Sequence, residues 1–148
     1  MKTTILFLLA ALSLAACHDD SPSKSTQATN VENIAKQGPW QITRFEDSGS
    51  DQTSNFNGFA FMFNDAGELK ASSISAGHTG TWSITDNDSS DDNPNYDDID
   101  FNIAFTTPSA FQELTEDWEI LSITSTKIEL RHISGGNGGT DFLTFEKL

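Results

Sequence analysis

Apolar residues recur at every second position through much of this chain. Phe59, Phe61 and Phe63 alternate with other residues, and segment 99–105 carries Ile or Phe at each odd position. A period of two is typical of β-strands with one buried and one wet face, whereas a helix repeats every 3.6 residues. The pattern therefore predicts an all-β domain.

Turn sequences rich in Gly, Asn and Ser separate these runs and predict eight strands. Consecutive strands joined by short turns favour an eight-stranded antiparallel up-and-down barrel, with a two-sheet β-sandwich as the alternative. A barrel of this size is either filled by side chains or holds one small ligand. Segment 107–116 interrupts the pattern and is expected to form a helical turn with Ser109 as N-cap. The predicted strands are 40–45, 56–63, 68–74, 78–85, 98–105, 117–124, 127–133 and 140–147.

The N-terminus combines Lys2, an apolar stretch over 5–14 and the sequence Leu14-Ala15-Ala16-Cys17. Ten apolar residues are too few for a membrane-spanning helix, which needs roughly 20, and fit the apolar region of a signal peptide. The segment resembles a bacterial lipoprotein signal. The resemblance implies cleavage before Cys17, a thioether from its sulfur to diacylglycerol and acylation of its amine, with acyl chains such as palmitate. Two or more chains anchor a protein stably, and no free thiol then remains.

This interpretation divides the chain into three parts. Residues 1–16 form the signal peptide, 17–37 the lipidated cysteine and a flexible polar tether, and 38–148 the barrel domain. A short helical turn is expected over 31–37, with Asn30 as N-cap. The anchor implies the outer membrane. Asp19-Asp20 resembles the export signals of Bacteroidetes surface lipoproteins and favours surface exposure, with a periplasm-facing position as the alternative.

The chain is strongly acidic, with a formal net charge of −14. Removal of residues 1–16 takes away Lys2 and no acidic residue, so the mature chain is more negative still. No Lys or Arg occurs between Lys70 and Lys127. Because such a surface repels phosphates, the composition excludes nucleic acid as a partner.

Segment 86–100 contains seven aspartates and no cation. Oxygen-rich loops suit calcium, which takes 6–8 oxygen ligands, although Tyr96 and Asn102 occupy positions where an EF-hand needs Gly and Glu. The alternative is a solvated hairpin loop extended by charge repulsion. Calcium is thus the one cofactor that the sequence suggests. The candidate ligands are Asp86, Asp88, Asp91, Asp92, Asp97 and Asp98.

Two Gly-x-Trp triplets open predicted strands, Gly38-Pro39-Trp40 and Gly80-Thr81-Trp82. The first, after a helical turn, resembles the signature of the lipocalin superfamily, and segment 38–148 resembles small lipocalin-like lipoproteins of Bacteroidetes-type bacteria. The resemblance implies that Trp40 plugs the closed end of the barrel. It also implies that a basic side chain from a late strand, Arg131 or Lys147, packs over this tryptophan.

Two functions follow as hypotheses. The barrel either holds a small apolar ligand, such as a fatty acid, or is filled and serves as a protein-interaction or scaffold module with an acidic, calcium-binding face. A filled interior would favour the second. The aromatic residues serve either as core or as ligand contacts. The candidate ligand contacts are Trp40, Phe59, Phe61, Phe63, Trp82, Phe101, Phe105 and Trp118.

Catalytic motifs are missing from the sequence. The histidines of the mature chain, His18, His78 and His132, form no H-x-H or H-E-x-x-H pattern, and no G-x-S-x-G sequence occurs. His132 is expected to face solvent or make a local hydrogen bond rather than bind a metal. We therefore predict a binding protein and not an enzyme.

Overall fold

The computed structural model describes residues 25–86, 96, 98–136 and 138–148. Within these ranges the chain forms nine strands, two α-helices and one 3-10 helix. The elements in chain order are α1 (Thr26–Ala35), β1 (Trp40–Asp47), β2 (Ser50–Asp51), the 3-10 helix (Thr53–Phe56), β3 (Ala60–Phe63), β4 (Glu68–Ser72), β5 (Gly77–Asp86), β6 (Ile99–Ala104), α2 (Ser109–Gln112), β7 (Glu116–Ile123), β8 (Lys127–Ile133) and β9 (Thr140–Lys147).

The strands follow one another around a closed antiparallel barrel. Hydrogen bonds join β1, β3, β4, β5, β6, β7, β8 and β9 in that order, and β9 returns to pair with β1. This closing pair aligns Trp40 with Lys147 and Phe45 with Leu143. Closure pairs the two strand edges that an open sheet would expose. The predicted eight-stranded up-and-down barrel is confirmed, with β2 as an additional short strand beside β1.

The sequence did not predict the connection from β1 to β3. Ser48 and Gly49 both have positive φ and turn the chain back so that β2 pairs with the end of β1. The amide N–H of Thr53 then donates to Asp51 Oδ1 at 2.9 Å, and the hydroxyl of Thr53 accepts a 2.8 Å hydrogen bond from the N–H of Phe45. These bonds hold 53–56 as a 3-10 helix. The prediction of a strand over 56–63 was therefore wrong for its first half, and β3 begins at Ala60.

Helix α1 lies within the segment for which the sequence predicted a tether. Ser25 is its N-cap and accepts from the N–H of Ala28 at 3.1 Å, so the expected start, with Asn30 as the cap, was wrong. The small or branched side chains of Ala28, Val31 and Ala35 lie on one face of the helix and are fully buried. The packed part of the chain thus includes α1.

Short connections define two ends of the barrel, which we call the α1 end and the α2 end. The α1 end comprises α1, the start of β1 and the turn 64–67, and an ion pair of 2.8 Å joins Lys36 to Asp65 there. The α2 end comprises the 3-10 helix and segment 105–115 with α2, which confirms the expected helical turn, although Pro108 and not Ser109 is its N-cap. Among the described residues, no helix has the length and apolar character that crossing a bilayer requires.

Candidate functional site

Aromatic side chains fill the interior of the barrel in contact with one another. Phe145 lies 5.5 Å from both Phe61 and Phe63, measured between ring centroids, and Phe63 lies 5.3 Å from Phe101. Most of these pairs meet edge to face, the geometry that the charge distribution of aromatic rings favours. We call this set the aromatic column. Its members are Phe45, Phe56, Phe61, Phe63, Trp82, Phe101, Phe105, Phe111, Trp118 and Phe145, all at most 5% exposed.

All eight predicted ligand contacts lie in or beside this column. Seven of them are at most 5% exposed, and Phe59 is half-buried at the α2 end. They are surrounded by one another and by aromatic residues that the sequence analysis did not single out, namely Phe45, Phe56, Phe111 and Phe145. That these eight residues contact a ligand stays a prediction. The geometry shows them as a packed core.

The three tryptophans direct their N–H groups to backbone carbonyls. Trp40 donates to Ala35 O at 2.7 Å, Trp82 to Asn64 O at 3.0 Å, and Trp118 to Leu114 O at 3.1 Å. A buried indole needs one such partner. Each of these hydrogen bonds thus links an adjacent helix or turn to the barrel.

Close packing explains the glycine of each Gly-x-Trp triplet. The indole of Trp40 folds back over Gly38, where an added Cβ would lie only 2.5 Å from Trp40 Cδ1. At Gly80 a Cβ would collide with the carbonyl oxygen of Ala104 and the ring of Phe105. Lys147 Nζ lies 5.2 Å from the Trp40 ring centroid. Of the two basic residues considered, Lys147 therefore covers Trp40.

Phe111 closes the α2 end. Its ring centroid lies 5.2 Å from Phe56, 5.1 Å from Phe59 and 4.6 Å from His78. Thr115 holds the ends of the loop together, because its hydroxyl accepts from the N–H of Phe105 at 2.9 Å and donates to the same residue's carbonyl at 3.1 Å. The helix that carries this plug has only four residues.

The predicted calcium ligands fall mostly outside the described residues. Asp88, Asp91, Asp92 and Asp97 lie there, while Asp86 ends β5 opposite Ile99 and Asp98 directly precedes β6. Calcium binding by this segment stays a prediction.

A groove of about 540 Å³ crosses the outer face of β5, β6 and β7. We call it the strand groove. Its side chains are polar or small and mostly exposed, and they alternate with the buried residues of the same strands. Asn102 donates to Thr85 Oγ1 at 2.9 Å beside it. No sequence pattern indicated this groove, because its residues resemble those of any solvent-exposed strand face. Its outward-facing side chains are Thr81, Ser83, Asn102, Ala104, Thr115 and Asp117.

Glu116, Asp117 and His132 meet where the strand groove reaches the α2 end. His132 Nε2 lies 3.4 Å from Glu116 Oε2, and its Nδ1 lies 3.5 Å from Asp117 Oδ1. The ring is 18% exposed and packs against Trp118 at 6.2 Å. Pairing of Glu119 with Arg131 brings these residues together across β7 and β8. The cluster arises from the register of β7 against β8, and no sequence motif encodes it.

Every Lys or Arg within the described ranges has a close partner. Five form ion pairs with carboxylates, and Lys147 covers Trp40. The ammonium of Lys127, 2.7 Å from Glu129, and the hydroxyl of Ser122 lower the pKa of the Glu129 carboxyl. With the basic groups neutralised in pairs, the excess carboxylates determine the negative field around the barrel.

Comparison with known proteins adds little to this description. No protein-family model matches the chain, and no curated protein matches it. The chain is similar to the crystal structure of a DUF4847 family protein from Bacteroides vulgatus, with 16% sequence identity and a TM-score of 0.46 over 80% of this chain and 97% of the other. This degree of similarity carries no conclusion about function.

Proposed function

We propose that this protein is a lipid-anchored binding module of the bacterial cell envelope, and that it binds a protein partner on the outside of its barrel. The observation that carries the proposal is the filled interior. The aromatic rings contact one another along the barrel and are nearly inaccessible to solvent. A closed β-barrel with a buried aromatic cluster is compatible with ligand binding in general. Because the rings pack closely inside the barrel, we favour a binding site on its outer surface.

The cost of opening the interior supports this choice. A ligand of about 300 Å³, the lower size of a typical pocket, would have to displace several rings of the column. Exposing one phenylalanine costs about 1.5–3 kcal/mol. Displacing three would therefore cost about 4.5–9 kcal/mol, a large fraction of the total stability of a native protein, which is about 5–15 kcal/mol.

The strand groove is the external surface that we assign to the partner. It offers hydroxyl, amide and carboxylate groups on a face that the rigid barrel holds in place. The lining of the groove includes the carboxylates of Glu116 and Asp117 and no Lys or Arg, so its charge is negative. A partner with a basic surface is favoured by this field, both in affinity and in rate of association.

Site-specific photo-crosslinking in living cells tests the groove. A photoreactive amino acid replaces Ser83 in the groove or, as the control, exposed Thr43 on β1. We expect a discrete protein adduct from position 83 that position 43 does not give, and a weaker adduct when Asp117→Asn is added. Equal adducts from both positions, or none from position 83, would contradict the proposal.

Lipid anchoring is tested separately. Cells grown with labelled palmitate should incorporate label into the parent protein and lose it completely with Cys17→Ser. The variant should then appear in the soluble envelope fraction. Membrane association that survives Cys17→Ser would refute the anchor without affecting the assignment of the groove.

The α2 end supports a second candidate function, the binding of a small apolar ligand. Phe59 is half-buried there, and the plug residue Phe111 sits on a four-residue helix. Native mass spectrometry of protein extracted from its own cells tests this candidate. A co-purified fatty acid would favour a carrier, and a bare chain would favour the interaction module.

A further inference from the structure

The cluster of Glu116, Asp117 and His132 is not accounted for by the proposed partner surface. Each of the three residues offers one ligand atom, and these atoms all lie within 4.8 Å of one another. One residue is an imidazole and two are carboxylates, so the set is mixed rather than purely acidic. Imidazole nitrogen with carboxylate oxygen is a set that zinc accepts.

The separations within the cluster are long for hydrogen bonds. Direct N–H···O bonds cluster at about 2.9–3.0 Å, whereas the two ring-to-carboxylate distances are 3.4 and 3.5 Å. Ligand atoms bound at about 2.0–2.1 Å in a tetrahedral site lie about 3.3–3.5 Å apart. The carboxylate of Glu116 is therefore already spaced from His132 Nε2 as a shared ion requires.

The surroundings of His132 fix which nitrogen can bind. Nδ1 faces the backbone carbonyl of Asp117 at 3.3 Å, and the ring rests edge-on against Trp118. A metal-bound histidine commonly donates its second ring N–H to a carbonyl, which sets the tautomer and holds the ring. With the proton on Nδ1, the lone pair of Nε2 points toward Glu116.

We propose that Glu116, Asp117 and His132 bind one divalent transition-metal ion of the zinc class at the α2 end of the strand groove. Nε2 of His132 and one oxygen of Glu116 are two of the ligands. The carboxylate of Asp117 now lies 3.5 Å from Nδ1, and its largely exposed side chain supplies the third ligand by rotating toward the Nε2 side. The fourth position is open to water or to a group in the groove. Calcium does not suit this site because it takes 6–8 oxygen ligands. The proposal does not rest on the partner surface, although Glu116 and Asp117 also line the strand groove, and it does not rest on the predicted calcium loop.

Calorimetry with zinc chloride tests the site. The protein is the full chain with Cys17→Ser and without a histidine tag, so that no added thiol or imidazole competes for zinc. We expect one zinc ion per chain and an affinity reduced at least tenfold by His132→Gln, because the only nitrogen ligand is lost. Glu116→Gln, at a half-exposed position, should weaken binding in the same direction.

His78→Gln is the matched control. His78 lies at the same end of the barrel, but its ring contacts Phe59 and Phe111. Its replacement should leave the zinc affinity unchanged, and a large excess of calcium chloride should not displace zinc from the parent.

Cobalt gives a second readout that reports coordination directly. The parent with cobalt chloride should develop visible absorption bands that both His132→Gln and Glu116→Gln abolish. Zinc affinity or cobalt absorption that is unchanged in both variants would overturn the proposal, since the ion would then bind elsewhere. Displacement of zinc by calcium would overturn it as well.

Discussion

The two ends of the barrel are closed by different kinds of contact. At the α1 end, Trp40 is fully buried, donates a 2.7 Å hydrogen bond to the end of α1, and lies beneath Lys147. At the α2 end, Phe111 fills the opening through ring contacts and lies on a four-residue helix. The segment that carries it is held by hydrogen bonds from Trp118 to Leu114 O and between Thr115 and Phe105. A directional hydrogen bond fixes a position, whereas ring packing tolerates sliding. We therefore expect the α1 end to be the anchored end, and the α2 end, where the plug makes no side-chain hydrogen bond, to open locally at lower free energy.

The same contrast separates structural from functional residues. Both Gly-x-Trp triplets support packing, with no space left around either glycine. Gly38 packs at the α1 end, whereas Gly80 packs against Ala104 and Phe105 toward the α2 end. The half-buried ionisable side chains of Glu116 and His132 also lie at the α2 end, beside the strand groove. Such a barrel would hold the proposed binding surface in place without needing an internal cavity.

Removal of the Trp40 side chain should have the largest effect. We expect Trp40→Ala to lower the free energy of unfolding by about 4 kcal/mol, because it leaves a large cavity and frees the carbonyl of Ala35. Urea denaturation followed by circular dichroism measures the change. Trp40→Phe, which keeps most of the ring volume but not the N–H donor, should cost less. A loss for Trp40→Ala no greater than for the corresponding change at Phe111 would contradict the anchored-end interpretation.

Removal of the plug should come next. We expect Phe111→Ala to cost about 3 kcal/mol, below the Trp40 value because the short loop can partly collapse into the space. Hydrogen exchange should then speed up at Phe56 and Phe105 while the amides around Trp40 stay protected. The control Phe111→Leu should cost less than about 1.5 kcal/mol. Exchange that speeds up equally at both ends would show that the barrel opens as a whole.

Loss of the exposed ion pair at the α1 end should have the smallest effect. Asp65 raises the pKa of the Lys36 ammonium mainly through a hydrogen bond. A raised pKa in the folded state gives a stabilisation that is present below the unfolded-state pKa, about 10.4, and is lost as pH rises through the folded-state value. Lys36→Met should therefore leave the unfolding midpoint nearly unchanged at pH 7, as is usual for exposed pairs. Above pH 11 the unfolding midpoints of the parent and the variant should become still more similar. A large midpoint shift at pH 7 would show that charge, rather than Trp40, anchors this end.

Local sequence patterns predicted the strands well and the closing segments poorly. Alternating Phe and Ile residues identified the buried faces of β3 and β6, where Phe61, Phe63, Phe101 and Ile103 are all buried. Phe56 was assigned to the start of a strand, although it ends the 3-10 helix. Phe111 was not recognised as a plug, because it is a single phenylalanine in a segment without periodicity. Helix α1 was placed too late, since its buried face consists of two alanines and one valine, which carry little hydrophobic signal.

The candidate sites depended on contacts that no local pattern contains. The strand groove combines residues from three strands, and the Glu116–Asp117–His132 cluster needs β7 and β8 in one particular register. His132, which the sequence alone suggested would face solvent or make a local hydrogen bond, gains two carboxylate neighbours only through that register.

The sequence by itself determined that this chain forms strands, which face of each strand is buried, and where a lipid anchor is to be expected, because each of these follows from the order of neighbouring side chains. Only the tertiary structure decided that β9 closes on β1, that the aromatic rings pack against one another inside the barrel, and which polar groups meet at the α2 end. Those outcomes depend on the distances between residues far apart in the chain, and they are fixed when the last strand pairs with the first.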